Sequence, residues 1–141
     1  MLIKNEKQIL RVLMQRDDNS LVIDCIKRTM PKWVLADSLA SYEGCSDAEL
    51  CEKTAMPLDR QLTEEEKRIA QERFTLIAGV LPYIGEEDKR SKMIDFLSAQ
   101  QSKQTIRKYL CLYLVYQNIA ALAPAPKVEK ELSQDEKNMR W

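Results

Sequence analysis

The stretch from residue 86 to residue 116 most constrains what this chain can fold into, because a polar break there separates two helical repeats of apolar residues. A first helical repeat predicts the buried face of a short helix, formed by Met93, Ile94 and Leu97. A polar break over residues 98–101 ends that helix. A second helix is predicted to begin after the N-cap Ser102, with apolar positions at Ile106, Leu110, Tyr113 and Leu114. A short helix, a tight turn and a longer helix with a polar first turn are typical of a helix-turn-helix.

Basic residues concentrate in the same stretch. Between Lys89 and Lys108 there are six bases and one acid, although the whole chain carries no net charge. Positive charge beside short polar donors suits contacts to phosphates and to base edges. Gln104 would read adenine and Arg107 guanine, with the backbone held by Lys89, Arg90 and Lys92. The remaining predicted contact residues are Ser102, Lys103, Thr105 and Lys108. The alternative is an ordinary helix bundle whose solvated face is basic.

The N-terminal part has a different pattern. Residues 8–14 and 21–26 are strand-length runs rich in branched apolar residues, and the polar residues 16–20 separate them. This pattern predicts a β-hairpin. Residues 30–34 predict a third short strand, which Pro31 confines to the edge of the sheet.

Two capping-box patterns predict the helices between these regions. The first box runs from Ser46 to Glu49, and its helix should stop before Pro57. The second runs from Thr63 to Glu66 and opens a helix that should end between Pro82 and Gly85. The predicted buried residues of this helix are Ile69, Ala70, Phe74, Ile77, Ala78 and Leu81. We expect an α+β chain, with a small β-hairpin module and a short helix over residues 1–57. A helix-turn-helix bundle follows over residues 58–126, then a linker and the start of a further helix over residues 127–141, as in a fragment of a longer protein.

Composition limits the chemistry that this chain can perform. It has four cysteines at irregular spacing and no histidine, which predicts free thiols without a metal site. The missing histidine also excludes catalysis by Ser-His or Cys-His pairs within the chain. No apolar run is long enough to cross a bilayer, and no signal peptide is evident, so we expect a cytoplasmic protein without membrane contact. The tyrosines between residues 109 and 116 predict core packing, with Tyr109 alone near enough to the basic residues to bond a phosphate. Their helix should end at Ala123, where the run Ala123-Pro124-Ala125-Pro126 begins.

Residues 103–114, followed by Ala121-Leu122-Ala123-Pro124, resemble the end of the helix-turn-helix in Mu-type transposases. In that family a T-I-x-x-Y-L-x-x-Y motif precedes a short A-L-x-P segment, and in some members a small β module precedes both. The resemblance covers about two thirds of the chain. It implies an end-binding part without the ribonuclease-H-like catalytic domain, whose three carboxylates hold divalent metal ions. One departure is that residues 127–141 are neutral, whereas family members often have a basic linker there.

Three functions follow as expectations. The first is the DNA-binding part of a DDE-type transposase or integrase, whose partner is double-stranded DNA. This chain would then need no cofactor and hold no catalytic site, and self-association of the full-length protein stays open. The second is a stand-alone helix-turn-helix transcriptional regulator, in which the β module would mediate dimerisation. The third is a protein-interaction domain without a nucleic-acid role.

Overall fold

A computed structural model describes residues 1–125 of the chain, and its strands precede its helices, which confirms the predicted α+β class. Five strands come first: β1 (Leu2–Lys4), β2 (Ile9–Arg16), β3 (Asn19–Asp24), β4 (Lys32–Leu35) and β5 (Glu43–Gly44). Four helices follow: α1 (Asp47–Thr54), α2 (Glu64–Ala78), α3 (Glu87–Leu97) and α4 (Lys103–Tyr116). The predicted linker and helix start over residues 127–141 lie outside the described residues.

The strands form one antiparallel sheet in the order β4-β3-β2-β1-β5. The predicted hairpin corresponds to β2 and β3, and the predicted third strand corresponds to β4 at the sheet edge. We did not predict β1 and β5, because strands of three and two residues are too short to show an alternating pattern.

Apolar side chains cover both faces of the sheet, so successive residues of one strand enter different cores. One face packs against the helices in the main core, through residues that include Leu2, Ile9, Leu21 and Ile23. The opposite face carries a smaller core, formed by Ile3, Leu10 and Val22 with partly buried neighbours that include Val34, Leu39 and Tyr42. The hairpin therefore reads as continuous apolar runs rather than as an alternation of apolar and polar residues.

Specific contacts tie the sheet to the helices. Arg11 of β2 is 8% exposed, and its Nε donates a hydrogen bond of 2.7 Å to the carbonyl of Val115 in α4. Trp33 of β4 donates its ring N–H to the carbonyl of Gly85, at 3.0 Å. A Cβ at Gly85 would lie 3.0 Å from the sulfur of Met14 and 3.1 Å from the ring of Trp33, so a larger residue there would have to displace these side chains. Residues on both sides of the predicted boundary at residue 57 thus share one core.

The N-terminal caps of α1 and α2 agree with the predicted capping boxes, except for one side-chain contact. The hydroxyl of Ser46 accepts from the amide of Glu49 at 3.0 Å, as predicted. The carboxylate of Glu49 does not reach back to complete the box, because it pairs with Lys4 of β1 instead. The box at Thr63 is complete: its hydroxyl accepts from the amide of Glu66, and the Glu66 carboxylate accepts from the amide of Thr63.

The C-terminal ends of two helices differ from expectation. α2 ends at Ala78, before the predicted stop at Pro82. Of its predicted buried residues, Ala70 and Ile77 are buried, and the others (Ile69, Phe74, Ala78 and Leu81) are half-buried. α4 ends at Tyr116 rather than at Ala123, because Gln117 adopts a left-handed conformation with φ 53°. A 3-10 segment, Ile119–Leu122, then packs on α2 and α4; we call it the C-terminal segment.

Candidate nucleic-acid interface

The buried side of α4 anchors this helix in the protein. Ile106 and Leu110 are both 0% exposed, as expected from their helical spacing. Tyr113 stacks on Phe74 of α2, with ring centroids 5.0 Å apart. Tyr116 is buried and donates its hydroxyl to Thr54 of α1 at 2.7 Å, so these tyrosines pack in the core as predicted. Such packing holds the opposite side of α4 in a defined position.

The exposed side of α4 carries most of the predicted contact residues. Lys103, Gln104, Arg107 and Lys108 are all exposed, and the first turn of the helix contains no acid. We call these four residues the α4 face. A helix N-terminus favours negative charge, and its unpaired backbone N–H groups can bind phosphate oxygens. The α4 face therefore combines positive side chains, an amide side chain and a positive helix end.

The side chains of Ser102 and Thr105 form hydrogen bonds that cap the start of α4. The Ser102 hydroxyl accepts from the amide of Thr105 at 3.1 Å, and the two hydroxyl oxygens lie 2.9 Å apart. Thr105 is half-buried. Ser102 is thus the predicted N-cap, and these two hydroxyls hold the turn while the α4 face is exposed beside them.

Two of the three basic residues of α3 have partners inside the protein. Lys89 pairs with Glu86 at 3.0 Å. Arg90 is only 7% exposed, and its guanidinium donates to the carbonyls of Ile84 at 2.8 Å and Pro31 at 3.4 Å. The predicted phosphate contact of Arg90 is therefore corrected, because its head binds backbone inside the protein.

Two other lysines complete the predicted set. Lys92 is exposed and forms no ion pair within residues 1–125. Lys103 pairs with Asp95 of α3 at 2.7 Å, which links the two helices across the turn. Both side chains of this pair are about half exposed, so the ion pair is weak and can give way to a phosphate.

The fold brings further bases beside α4 that we did not predict as contacts. A groove of about 400 Å³ runs between α2, α4 and the C-terminal segment, and four basic side chains line it: Arg28, Arg60, Arg73 and Lys108. We call it the basic groove. Arg60 precedes the acidic start of α2 and Arg73 lies in the second half of that helix, so neither belongs to a basic run in the sequence. Only the tertiary packing brings them close to Lys108.

The four cysteines are free thiols in the structure. Burial raises the pKa of Cys25 to about 12 and that of Cys111 to about 11. Desolvation also raises the pKa of Cys45 and Cys51 above the ordinary value. All four thiols are thus protonated near neutral pH and are poor nucleophiles.

Within residues 1–125 no three Cys, Asp or Glu side chains lie together as a possible metal site. No helix in the described part of the chain is both long and apolar enough to span a bilayer. Neither the protein-family models nor the curated protein sequences contain a match to this chain.

Proposed function

We propose that this chain is the DNA-binding N-terminal part of a Mu-type transposase, which recognises transposon-end DNA through α3 and α4. In this proposal α4 enters the major groove, and α3 crosses the backbone beside it. Gln104 reads adenine and Arg107 reads guanine, since their side chains match the acceptor and donor patterns of these bases. Lys92, Lys103 and Lys108 contact phosphates.

One observation carries this proposal. Ile106 and Leu110 are completely buried, while Lys103, Gln104, Arg107 and Lys108, in the first two turns of the same helix, are exposed. A recognition helix needs both buried anchoring residues and exposed polar side chains, because side chains discriminate bases only when the backbone that carries them is held in place. The motif that resembles the transposase family, residues 103–114, coincides with this helix.

The proposal assigns the chemistry to another part of the protein. The divalent metal ions would belong to the catalytic domain, so this chain needs no cofactor to bind double-stranded DNA. In this proposal the protein is cytoplasmic. Self-association of the full-length protein is a separate question, which the α4 face does not answer.

Selection from random duplexes tests the proposal. We expect enrichment of one site, and binding to it should show a log-log salt slope of about −3 to −5, corresponding to three to five phosphate contacts. A stand-alone dimeric regulator would instead select an inverted repeat with half-sites about 34–36 Å apart. An affinity that stays constant between low and high salt would contradict both forms of DNA binding.

A second candidate function is a protein-interaction domain, and one apolar patch favours it. Phe96 of α3 is 73% exposed, and it lines a shallow groove of about 300 Å³ with Tyr83 and Met93. Exposed aromatic residues are enriched at protein interfaces. This function predicts no enrichment of any duplex, whereas a Phe96→Ala substitution would abolish partner binding.

A further inference from the structure

The basic groove is positively charged, and acidic residues are absent from its lining. Lys108 comes from α4, Arg73 from α2, and Arg28 and Arg60 from the loops after β3 and before α2. Within residues 1–125, neither Arg28, Arg73 nor Lys108 forms an ion pair with a carboxylate. The groove therefore has an excess of positive charge that the described protein does not neutralise.

Neutral partners hold two of these side chains in place. Arg73 lies over the ring of Tyr109, 4.8 Å from its centroid, and donates to the carbonyl of Leu122 at 2.8 Å. Arg28 lies over the ring of Tyr116 and donates to its hydroxyl at 2.8 Å. A guanidinium has five N–H donors, so these contacts leave donors of both arginines unused.

Arg60 is the one groove arginine with a carboxylate partner. It pairs with Glu66 at 3.2 Å and also donates to the carbonyl of Pro124. The hydrogen bond from the amide of Thr63, helped by Arg60, lowers the pKa of Glu66 below its ordinary value. Glu66 is therefore ionised at neutral pH and offsets part of the positive charge of the groove.

The position of the groove indicates what it binds. Lys108 belongs to both the α4 face and the groove, and it lies one helical turn after Gln104. Arg73 and Tyr109 also line a second depression, which extends to Gln100 and Gln101 in the turn before α4 and includes Glu72, the partner of Arg68. The basic groove thus lies beside α4, and this depression continues from it toward the N-terminus of the helix. A helix in the major groove, about 12 Å wide, has a sugar-phosphate backbone on either side of it.

We propose that the basic groove binds the sugar-phosphate backbone of duplex DNA along one side of α4. This inference rests on the proposed function, because it takes α4 as the helix in the major groove. The groove contacts are independent of sequence: they fix the register of the protein on the duplex, while the α4 face reads the bases.

Charge substitutions in the groove test this inference, with the selected duplex and a scrambled duplex as probes. Lys108→Gln removes a charge with no ion pair in the described structure, so folding should be unaffected. We expect both duplexes to bind about 3–10-fold more weakly and the salt slope to fall in magnitude by about one. Arg73→Gln should act in the same direction, with its unfolding temperature measured to verify that it folds. The matched control is Lys7→Gln, in the exposed turn between β1 and β2, which should change neither quantity.

Glu66→Gln gives a test in the opposite direction. Glutamine can still accept the hydrogen bond of the capping box, but it removes the negative charge beside Arg60. We expect tighter binding of both duplexes, by about 2–3-fold at low salt, and a steeper salt slope. Arginines that served only to fasten the C-terminal segment would give no such gain.

The outcomes separate the two proposals. If the wild-type protein binds no duplex, the proposed function fails and the groove inference fails with it. If the wild-type protein binds its selected duplex through Arg107, but the groove variants behave like Lys7→Gln, the groove inference alone is overturned.

Discussion

The two helices of the motif use their basic residues differently. In α3, Arg90 is buried against backbone carbonyls and Lys89 pairs with Glu86. In α4, Arg107 and Lys108 are exposed, and neither forms an ion pair within residues 1–125. The comparison teaches that a count of charges along a sequence overestimates the charge available to a partner, because burial and local pairing remove part of it.

The difference follows from the neighbours of each helix. Three acids (Glu86, Glu87 and Asp88) begin α3 or directly precede it, so Lys89 and Arg90 have local partners. The first turn of α4 has no acid, and its cap is a serine. The account therefore predicts that variants of the α3 bases alter folding or general affinity, whereas variants of Gln104 and Arg107 in α4 alter sequence preference.

The largest expected effect belongs to the buried side of α4. Ile106→Ala should lower the free energy of unfolding by about 2–5 kcal/mol, since it truncates a completely buried aliphatic side chain. Denaturant titration measures this change, and Gln104→Ala on the exposed side is the control. Equal losses for the two variants would show that α4 does not have one anchored and one exposed side.

Arg90→Ala should also act on folding, with a loss of about 2–4 kcal/mol. The substitution removes charge-assisted hydrogen bonds to the carbonyls of Ile84 and Pro31 and leaves these groups poorly satisfied. Lys92→Ala, at an exposed position two residues away, should change stability by less than about 0.5 kcal/mol. If Arg90→Ala unfolds like the wild-type protein but binds DNA more weakly, Arg90 is a surface contact after all.

Arg107→Ala should leave stability unchanged and weaken binding to the selected site by about 1–3 kcal/mol, because it removes a bidentate contact to one guanine. Its preference at one base pair should be lost. Titration of the selected duplex and of its single-base variants measures both effects. A uniform loss over all duplexes would assign Arg107 to the backbone instead.

The smallest expected effect is that of Lys89→Ala. The lysine is exposed but paired with Glu86, so a phosphate contact must compete with a weak surface ion pair. We expect all duplexes to bind slightly more weakly, with a salt slope lowered by at most about one. A gain in affinity would contradict any phosphate contact at this position.

Local signals in the sequence account for much of the fold. Ser46, Thr63 and Ser102 mark the starts of three helices, because capping depends on neighbouring residues alone. The end of α4 was not predictable in this way: Gln117 adopts its left-handed conformation without a glycine. The pairing of Glu49 with Lys4 was also hidden, since it joins residues 45 positions apart.

In the candidate site, too, local features were predictable from the sequence and tertiary contacts were not. Helical spacing alone predicts that Ile106 and Leu110 are buried and that Gln104 and Arg107 lie on another side. It does not reveal that Arg90 is buried, because the carbonyl of Pro31 comes from a distant loop. Nor does it place Arg73 beside Lys108, which requires the packing of α2 against α4.

The discrimination ratio between selected and scrambled duplexes, measured at one salt concentration, tests most directly that α4 reads the DNA. It should be determined for the wild-type protein, Arg107→Ala and Lys89→Ala. The account predicts a ratio about 5–150-fold lower for Arg107→Ala, from a loss of about 1–3 kcal/mol, and an unchanged ratio for Lys89→Ala. Full discrimination by Arg107→Ala together with lost discrimination by Lys89→Ala would contradict it and place α3 in the groove.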